Sequence, residues 1–362
     1  METVLRQEKF KHLLNSDSKQ LSKIAGLRYV SDQMPGFRRQ RRGRGFIYIA
    51  PNGECIRDPG LRQRFEALVI PPAWTDVWIC PNEKGHVQAI GRDDRGRKQY
   101  IYHPHWEEIR NLTKFGNMIS FSEVLPLMRE HVDRDLRKRD LSREKVLAIV
   151  VRLLEATLIR VGNPEYKRDN KTFGLTTLSK RHLNIDGPNL FFAFQGKSGR
   201  KREVNIKNLR LARLVKQCQE LPGQELFQYI DDEGKYQTID SGDVNEYLRS
   251  TTGQDVTAKY FRTWGGTVIT ASELYSLGPG ESKAEEKRKV VQAVKQVAKT
   301  LGNTTSICRK YYIHPEIINA YLDKTLFVAM KKASKKAQKS SYGLGVEEIA
   351  VANLLRQRLK SR

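Results

Sequence analysis

The hydrophobic pattern of this chain changes its period partway along, and that change sets what the chain can fold into. From Phe46 to about Tyr102, short runs such as Phe46-Ile47-Tyr48-Ile49 and Val77-Trp78-Ile79-Cys80 alternate with turn signals at Pro51-Asn52-Gly53, Pro81-Asn82 and Asp93-Asp94-Arg95-Gly96. Strands joined by tight turns give this pattern. After His103-Pro104-His105, long stretches carry apolar residues at spacings of three and four, the period of helices with one buried face. The 362 residues also exceed the roughly 250 to 300 at which a single core stops growing. The expected fold is therefore α+β, with a small antiparallel β domain over residues 1–110 and a larger, mainly α-helical domain over residues 111–362.

Within the helical part, the clearest helix begins after Ser142, a good N-cap, and runs through Val146, Ile149, Val150, Leu153, Leu154 and Leu158 to deliver Arg160 at its end. Between Leu190 and Ile206 the pattern reverts to strand, with Gly196-Lys197-Ser198-Gly199 as the turn of a β-hairpin. Val290, Val291, Val294, Val297 and Ala298 form one helical stripe that should stop at Gly302, and a Lys-rich segment follows from Lys331 to Lys339. The first 26 or so residues read as a basic helix. Gly36 to Gly45 reads as an exposed loop, because its run of like charges opposes compaction.

Lys and Arg number 65 against 41 Asp and Glu, a net charge of +24, so polyanions are the partners to consider first. The polar N-terminus and the lack of any apolar run near the roughly 18 residues of a membrane span point to a soluble, cytoplasmic protein. Cys55, Cys80, Cys218 and Cys308 are scattered, and His103, His105 and His314 lack metal-ligand spacing. No acidic cluster suggests a Mg²⁺ site. Gly196-Lys197-Ser198 lacks the upstream glycine of a nucleotide phosphate loop. Neither metal nor nucleotide cofactor is expected.

Breaking a phosphodiester without hydrolysing it takes a nucleophile, cations on the nonbridging oxygens and an acid for the leaving oxygen. Arg160, where a helix runs out into Val161-Gly162-Asn163, and Arg262, flanked by Tyr260-Phe261 and Thr263-Trp264, are candidate cations. Lys197 at the hairpin tip has the reach of a long flexible side chain. Tyr312, in Arg309-Lys310-Tyr311-Tyr312-Ile313-His314-Pro315, offers a phenol among cations. Singly, each residue has an ordinary structural explanation: a helix cap, a solvated turn charge, an internal ion pair, a core tyrosine.

Taken in order, Arg160, Lys197 in Gly-Lys-Ser, Arg262 in Lys-Tyr-Phe-Arg-Thr-Trp and Tyr312 in Arg-Lys-Tyr-Tyr-Ile-His-Pro resemble the catalytic set of the type IB DNA topoisomerases, above all their compact, poxvirus-like bacterial members. The resemblance implies that Tyr312 attacks the scissile phosphate and joins the 3′ end, that Lys197 protonates the leaving 5′ oxygen, and that Arg160 and Arg262 clamp the nonbridging oxygens. The family's fifth position is His or, in bacterial members, Asn, and Asn303 stands there. Tyr311 is a rival nucleophile, but Tyr312-Ile313-His314-Pro315 matches the family's spacing better.

In the β lobe, the resemblance implies DNA contact by Arg38, Arg39, Arg41 and Arg42 and by Arg97, Gln99, Tyr100 and Tyr102. Tyr100 and Tyr102 should share one face of a strand with Gln99 on the other. The implied partner is double-stranded DNA, held by a monomer clamping the duplex in the nucleoid, and the implied activity is relaxation by controlled rotation without ATP. Two other readings stand beside it. A tyrosine recombinase uses similar groups, although the position three before its second Arg, usually His, is Lys259 here. An architectural DNA-binding protein would coat phosphates with the same basic segments and have no use for Tyr312.

Overall fold

A five-stranded antiparallel sheet dominates the first part of the computed structural model, which describes residues 16–336 and 341–360. Helix α1 (Ser18–Ile24) is fixed at its start by Asp17, whose side chain accepts from Gln20 N at 2.8 Å while Gln20 accepts from Asp17 N at 3.0 Å. It accounts for part of the expected N-terminal helix; residues 1–15 lie outside the described residues. Strands β1 (Phe37–Arg42) and β2 (Gly45–Ile49), helix α2 (Pro59–Ala67) and strands β3 (Thr75–Ile79), β4 (Val87–Arg92) and β5 (Lys98–Tyr102) follow, with sheet order β2-β1-β3-β4-β5. Helix α2 covers one face, where Phe65 packs with Tyr48, Val77, Ile79 and Ala89.

The expectation of an exposed loop from Gly36 to Gly45 is corrected here. Phe37–Arg42 is strand β1, paired with β2 on one side and β3 on the other. Its first half, through Arg39, is paired with β3 as well, while Gln40 to Arg42 pair with β2 alone. Alternation sends Arg38 outward and Arg39 inward, and Arg39 donates to Ile70 O and Pro71 O at 2.8 Å and to Trp74 O at 2.9 Å while lying 4.1 Å over the Phe46 ring. A strand of four arginines holds because one of them is spent on carbonyls.

Helix α3 (Pro104–Leu136) follows β5, and the chain divides into two compact units between Asn117 and Met118, within this helix. The boundary expected at residue 110 also lies in α3. The second unit continues with α4 (Arg143–Thr157), α5 (Pro164–Asn170), the sheet β6 (Leu183–Asp186), β7 (Asn189–Gln195) and β8 (Lys201–Lys207), α6 (Leu209–Glu220), the ribbon β9 (Gln228–Ile230) and β10 (Tyr236–Thr238), α7 (Ser241–Thr252), α8 (Lys259–Ser276), α9 (Lys283–Leu301), α10 (Thr305–Tyr311), α11 (Pro315–Leu322), α12 (Thr325–Lys336) and α13 (Val346–Lys360). The fold is α+β, as the change of period implies.

Ser142 caps α4 as expected, and Val146, Ile149, Val150, Leu153 and Leu154 are all buried. Gly302 ends α9 at φ 58, where glycine carries no Cβ penalty. Val291, expected in the buried stripe of α9, is 46% exposed and belongs to the opposite face. Of the Lys-rich segment, residues through Lys336 lie in α12 and residues 337–339 fall outside the described residues.

Two polar ties hold this unit. Arg129 on α3 donates to Glu155 on α4 at 2.6 Å and to Glu348 on α13 at 2.9 Å, and Glu348 also accepts from Trp264 Nε1 on α8 at 2.9 Å. Asp133 on α3 accepts from Arg137 at 2.7 Å, from Tyr342 Oη at 2.8 Å and from Arg210 on α6. These donors outweigh the burial that opposes its ionisation and hold its carboxyl down to about 2. Among the described residues no helix is long and apolar enough to cross a membrane.

Candidate active site

Four segments of the second unit converge because small residues let their backbones approach. Leu158, just past α4, sits in the left-handed region at φ 53 and turns the chain toward Arg160. A Cβ on Gly265 of α8 would lie 2.7 Å from both Leu158 δ carbons, so glycine there makes room for the Leu158 side chain. The Arg160 backbone is then fixed by Leu175 N, which donates to Arg160 O at 2.9 Å. A Cβ on Gly174 would lie 2.6 Å from the same oxygen. Gly266, next along α8, does the same for the other side: its Cβ would lie 2.7 Å from Tyr312 O.

Tyr312 is not inside an apolar helix. It is the C-cap of α10, with its N–H on Cys308 O at 2.9 Å, and His314 N donates to Thr267 Oγ1 on α8 at 3.0 Å. Pro315 starts α11. The half-buried phenol therefore leaves its helix end at a fixed place.

Arg262 is 4% exposed on α8, and its guanidinium carbon lies 5.1 Å from the Tyr312 ring centroid. It donates to Leu301 O at 2.9 Å and to Leu158 O. Arg160 donates to Asn303 Oδ1 at 3.0 Å. Arg202, which sequence reasoning missed, is 8% exposed on β8 and donates to Lys299 O at 3.1 Å and Thr300 O at 2.7 Å. Three successive carbonyls at the end of α9 thus accept from arginines, where the helix dipole is negative. Among the described residues none of these three arginines is paired with a carboxylate. The signal for Arg202 was present in the sequence: it takes the inward parity of Val204 and Ile206 on an alternating strand.

The cations act on each other and on the phenol. Burial and the neighbouring Arg160 charge pull Arg262 down to about 10, low for an arginine but still charged at neutral pH. Burial alone would raise Tyr312. The charges of Arg262 and Arg160, a hydrogen bond from Arg262 and the charge of Lys197 outweigh it and leave the phenol below its ordinary value. Among the described residues Arg262 Nε and Asn303 Nδ2 are buried without a hydrogen-bond partner, two donors whose desolvation is uncompensated until an acceptor arrives.

Lys197 stands exposed at the tip of the β7–β8 hairpin, in the turn Lys197–Gly199, with Gly199 at φ 73. The hairpin is the expected one, extended by a third strand, β6. Tyr311, the rival phenol, ends α10 with Lys310 Nζ 5.3 Å from its ring centroid.

In the first unit, Arg38, Arg41 and Arg42 are exposed, while Arg39 is turned to its three carbonyls. Asp93 accepts from Arg97 Nε at 2.8 Å and from Gln99 Nε2 at 2.9 Å, fixing both side chains at the end of the β4–β5 hairpin. Tyr100 and Tyr102 share a face, stacked with centroids 5.7 Å apart and planes at 8°.

Comparison with known proteins accounts for both units. Residues 103–341 match the family described as eukaryotic DNA topoisomerase I, catalytic core, and residues 45–93 match bacterial DNA topoisomerase IB, N-terminal domain. DNA topoisomerase 1B of Acanthamoeba polyphaga mimivirus is 30% identical over 302 residues, covering 81% of this chain and 90% of that protein. DNA topoisomerase 1B of Vaccinia virus (strain Copenhagen) is 25% identical over 272 residues, covering 73% and 83%. The segment carrying Arg160, Lys197, Arg262 and Tyr312 lies wholly within the catalytic-core match, and the chain belongs to the type IB DNA topoisomerase family.

Proposed function

We propose that this enzyme relaxes supercoiled DNA by transient cleavage of one strand through a 3′-phosphotyrosyl intermediate. The observation that carries this reading is a phenol held below its ordinary value by Arg262 and Arg160, beside two buried donors without partners. Tyr312 Oη bonds to phosphorus as the bond from phosphorus to the 5′ oxygen breaks. The tyrosine proton passes to water, and Lys197 gives a proton to the departing oxygen. Arg262 and Arg160 neutralise the nonbridging oxygens as charge builds, and Asn303 Nδ2 donates to one of them. Religation is the same step reversed.

One phosphodiester is exchanged for another, so neither ATP nor an obligatory metal is required, and torsion in the DNA drives rotation of the cut strand. Double-stranded DNA is contacted by Arg38, Arg41 and Arg42 and by the Arg97, Gln99, Tyr100 and Tyr102 strand, as a monomer clamping the duplex. Arg39 supports β1 from within through the carbonyls of Ile70, Pro71 and Trp74. The setting is the nucleoid.

The experiment is plasmid relaxation in EDTA without ATP, with detergent trapping of the adduct, for the parent protein, Tyr312→Phe and Tyr311→Phe. Loss of both relaxation and trapping in Tyr312→Phe alone is the expected result. Relaxation by Tyr312→Phe would sink the assignment.

A further inference from the structure

Arg202 has an unusual setting for a strand residue. It is buried on the inward face of β8, without a carboxylate partner among the described residues and with Arg160 close enough to lower its pKa, after burial itself. A cation there is costly unless its hydrogen bonds compensate, and packing alone is served by an aliphatic side chain. Two glycines mark the path of the side chain. A Cβ on Gly196 would lie 2.8 Å from Arg202 Cγ, and a Cβ on Gly302 would lie 2.5 Å from Arg202 Nη1. Gly196 immediately precedes Lys197 and Gly302 immediately precedes Asn303. The side chain therefore runs from the base of the lysine turn to the helix end that presents Asn303, where it closes on Lys299 O and Thr300 O.

Besides Arg202, one backbone bond ties the base of the turn to another segment, from Phe173 N to Gln195 O at 2.8 Å. Residues 197–200 are exposed. The bonds across the turn are Gly196 N to Arg200 O at 2.8 Å, Gly199 N to Gly196 O at 3.1 Å and a long one from Gln195 Nε2 to Gly199 O at 3.4 Å. The bonds within the turn shape it, and the Arg202 side chain joins it to the helix end that precedes Asn303.

We propose that Arg202 is a positioning residue for cleavage: it latches the Lys197 hairpin to the C-terminus of α9 and so fixes the reach of Lys197 Nζ to the leaving 5′ oxygen. The proposal rests on the reading of Lys197 as the proton donor. As the bond from Tyr312 Oη to phosphorus forms and the bond to the 5′ oxygen breaks, the proton moves from Lys197 to that oxygen, and this transfer is the part of the step that a loosened hairpin impairs.

The test compares single-turnover cleavage of two DNA duplexes that differ only in the bridging 5′ atom, oxygen or sulfur. A thiolate departs without a proton, so a defect in proton delivery disappears on the sulfur substrate, whereas a defect in the arginine clamp or in Tyr312 persists. Arg202→Met should cleave the oxygen substrate about 10²-fold slower, the scale of an ångström of misplacement. It should recover most of that on sulfur, as should Lys197→Ala. The double variant Lys197→Ala, Arg202→Met should be no slower than Lys197→Ala alone, because both changes remove the same contribution. Arg202→Lys keeps the charge and can satisfy only part of the carbonyl pair, and it carries the same comparison should Arg202→Met not fold. An equal deficit on oxygen and sulfur for the folded Arg202 variants, with Lys197→Ala rescued, would overturn the latch. Rescue of neither would show that the assignment of Lys197 is wrong, and the latch falls with it.

Discussion

Gly266→Ala sets two effects against each other at one position of α8. In a helix interior, alanine is intrinsically better than glycine by about 1 kcal/mol. The added Cβ, however, falls 2.7 Å from Tyr312 O and 3.4 Å from both Tyr312 Cβ and Leu301 Cδ1. Ordinary van der Waals contact for a Cβ begins near 3.4 Å, so the tyrosine carbonyl must retreat by about 0.7 Å. That backbone is already held by Cys308 O and Thr267 Oγ1, and overpacking of this kind costs about 1–3 kcal/mol. Net destabilisation is therefore small, about 0–2 kcal/mol once propensity is subtracted. Tyr312, the proposed nucleophile, is displaced by most of an ångström, which costs on the order of 10²-fold in rate. Gly265→Ala is the control, since its Cβ meets the ends of the Leu158 side chain at the same 2.7 Å. A side-chain terminus can rotate away, so the loss should stay below about tenfold. The assay is the first-order rate of covalent adduct formation on a short duplex, with thermal melts of each protein. Equal losses for the two variants, or a Gly266→Ala rate close to the parent's, would refute the argument from backbone overlap.

The pH dependence of cleavage follows from the lowered Tyr312 phenol: the rate should rise with pH and level off below the ordinary tyrosine range. Arg262→Lys weakens the largest lowering influence and should move that rising limb to higher pH, measured by single-turnover cleavage across pH. Asp133 titrates at about 2 in the folded protein against an ordinary 3.8. Its contribution is complete above about pH 4 and disappears as pH falls toward 2. Asp133→Asn should therefore melt below the parent at pH 7 by about 1–2 kcal/mol of stability, since Arg137 and Arg210 are largely exposed, and the gap should close as the pH is lowered. Replacing Arg38, Arg41 and Arg42 together by alanine should flatten the salt dependence of DNA binding by about 0.9 in logarithmic slope for each phosphate that is no longer neutralised. An unchanged slope would exclude those residues from the interface.

What the sequence made legible was local chemistry. The Ser142 cap, the Gly302 stop and the Gly196 to Gly199 turn each follow from what one or two residues do to their own backbone. Strand β1 was illegible because it lacks an alternating apolar face: Phe-Arg-Arg-Gln-Arg-Arg is held by neighbours on both sides and by carbonyls some thirty residues away. Val291 was misplaced for a related reason. A run of valines fits several helical faces, and only packing selects one.

At the candidate site, the resemblance to the family named Arg160, Lys197, Arg262, Asn303 and Tyr312 as an expectation, but the lowering of the phenol could not be foreseen. It arises where Arg160, Lys197 and Arg262 are brought to Tyr312 from distant parts of the sequence. Arg202 escaped because a lone arginine on a short strand reads as surface charge until its parity is followed.

The seating of Arg262 and Arg202 on the carbonyl end of α9 has a consequence for the working range of the enzyme. A guanidinium anchored by aspartate or glutamate loses its anchor in acid, and at neutral pH shares its charge with a permanent competitor of the phosphate. Peptide carbonyls do neither, since they have no proton to gain over any pH at which the protein is folded. On the proposed mechanism the hold of Arg262 on the scissile phosphate is thus insensitive to acid, and it weakens only on the alkaline side, where burial and the Arg160 charge bring its guanidinium down to about 10.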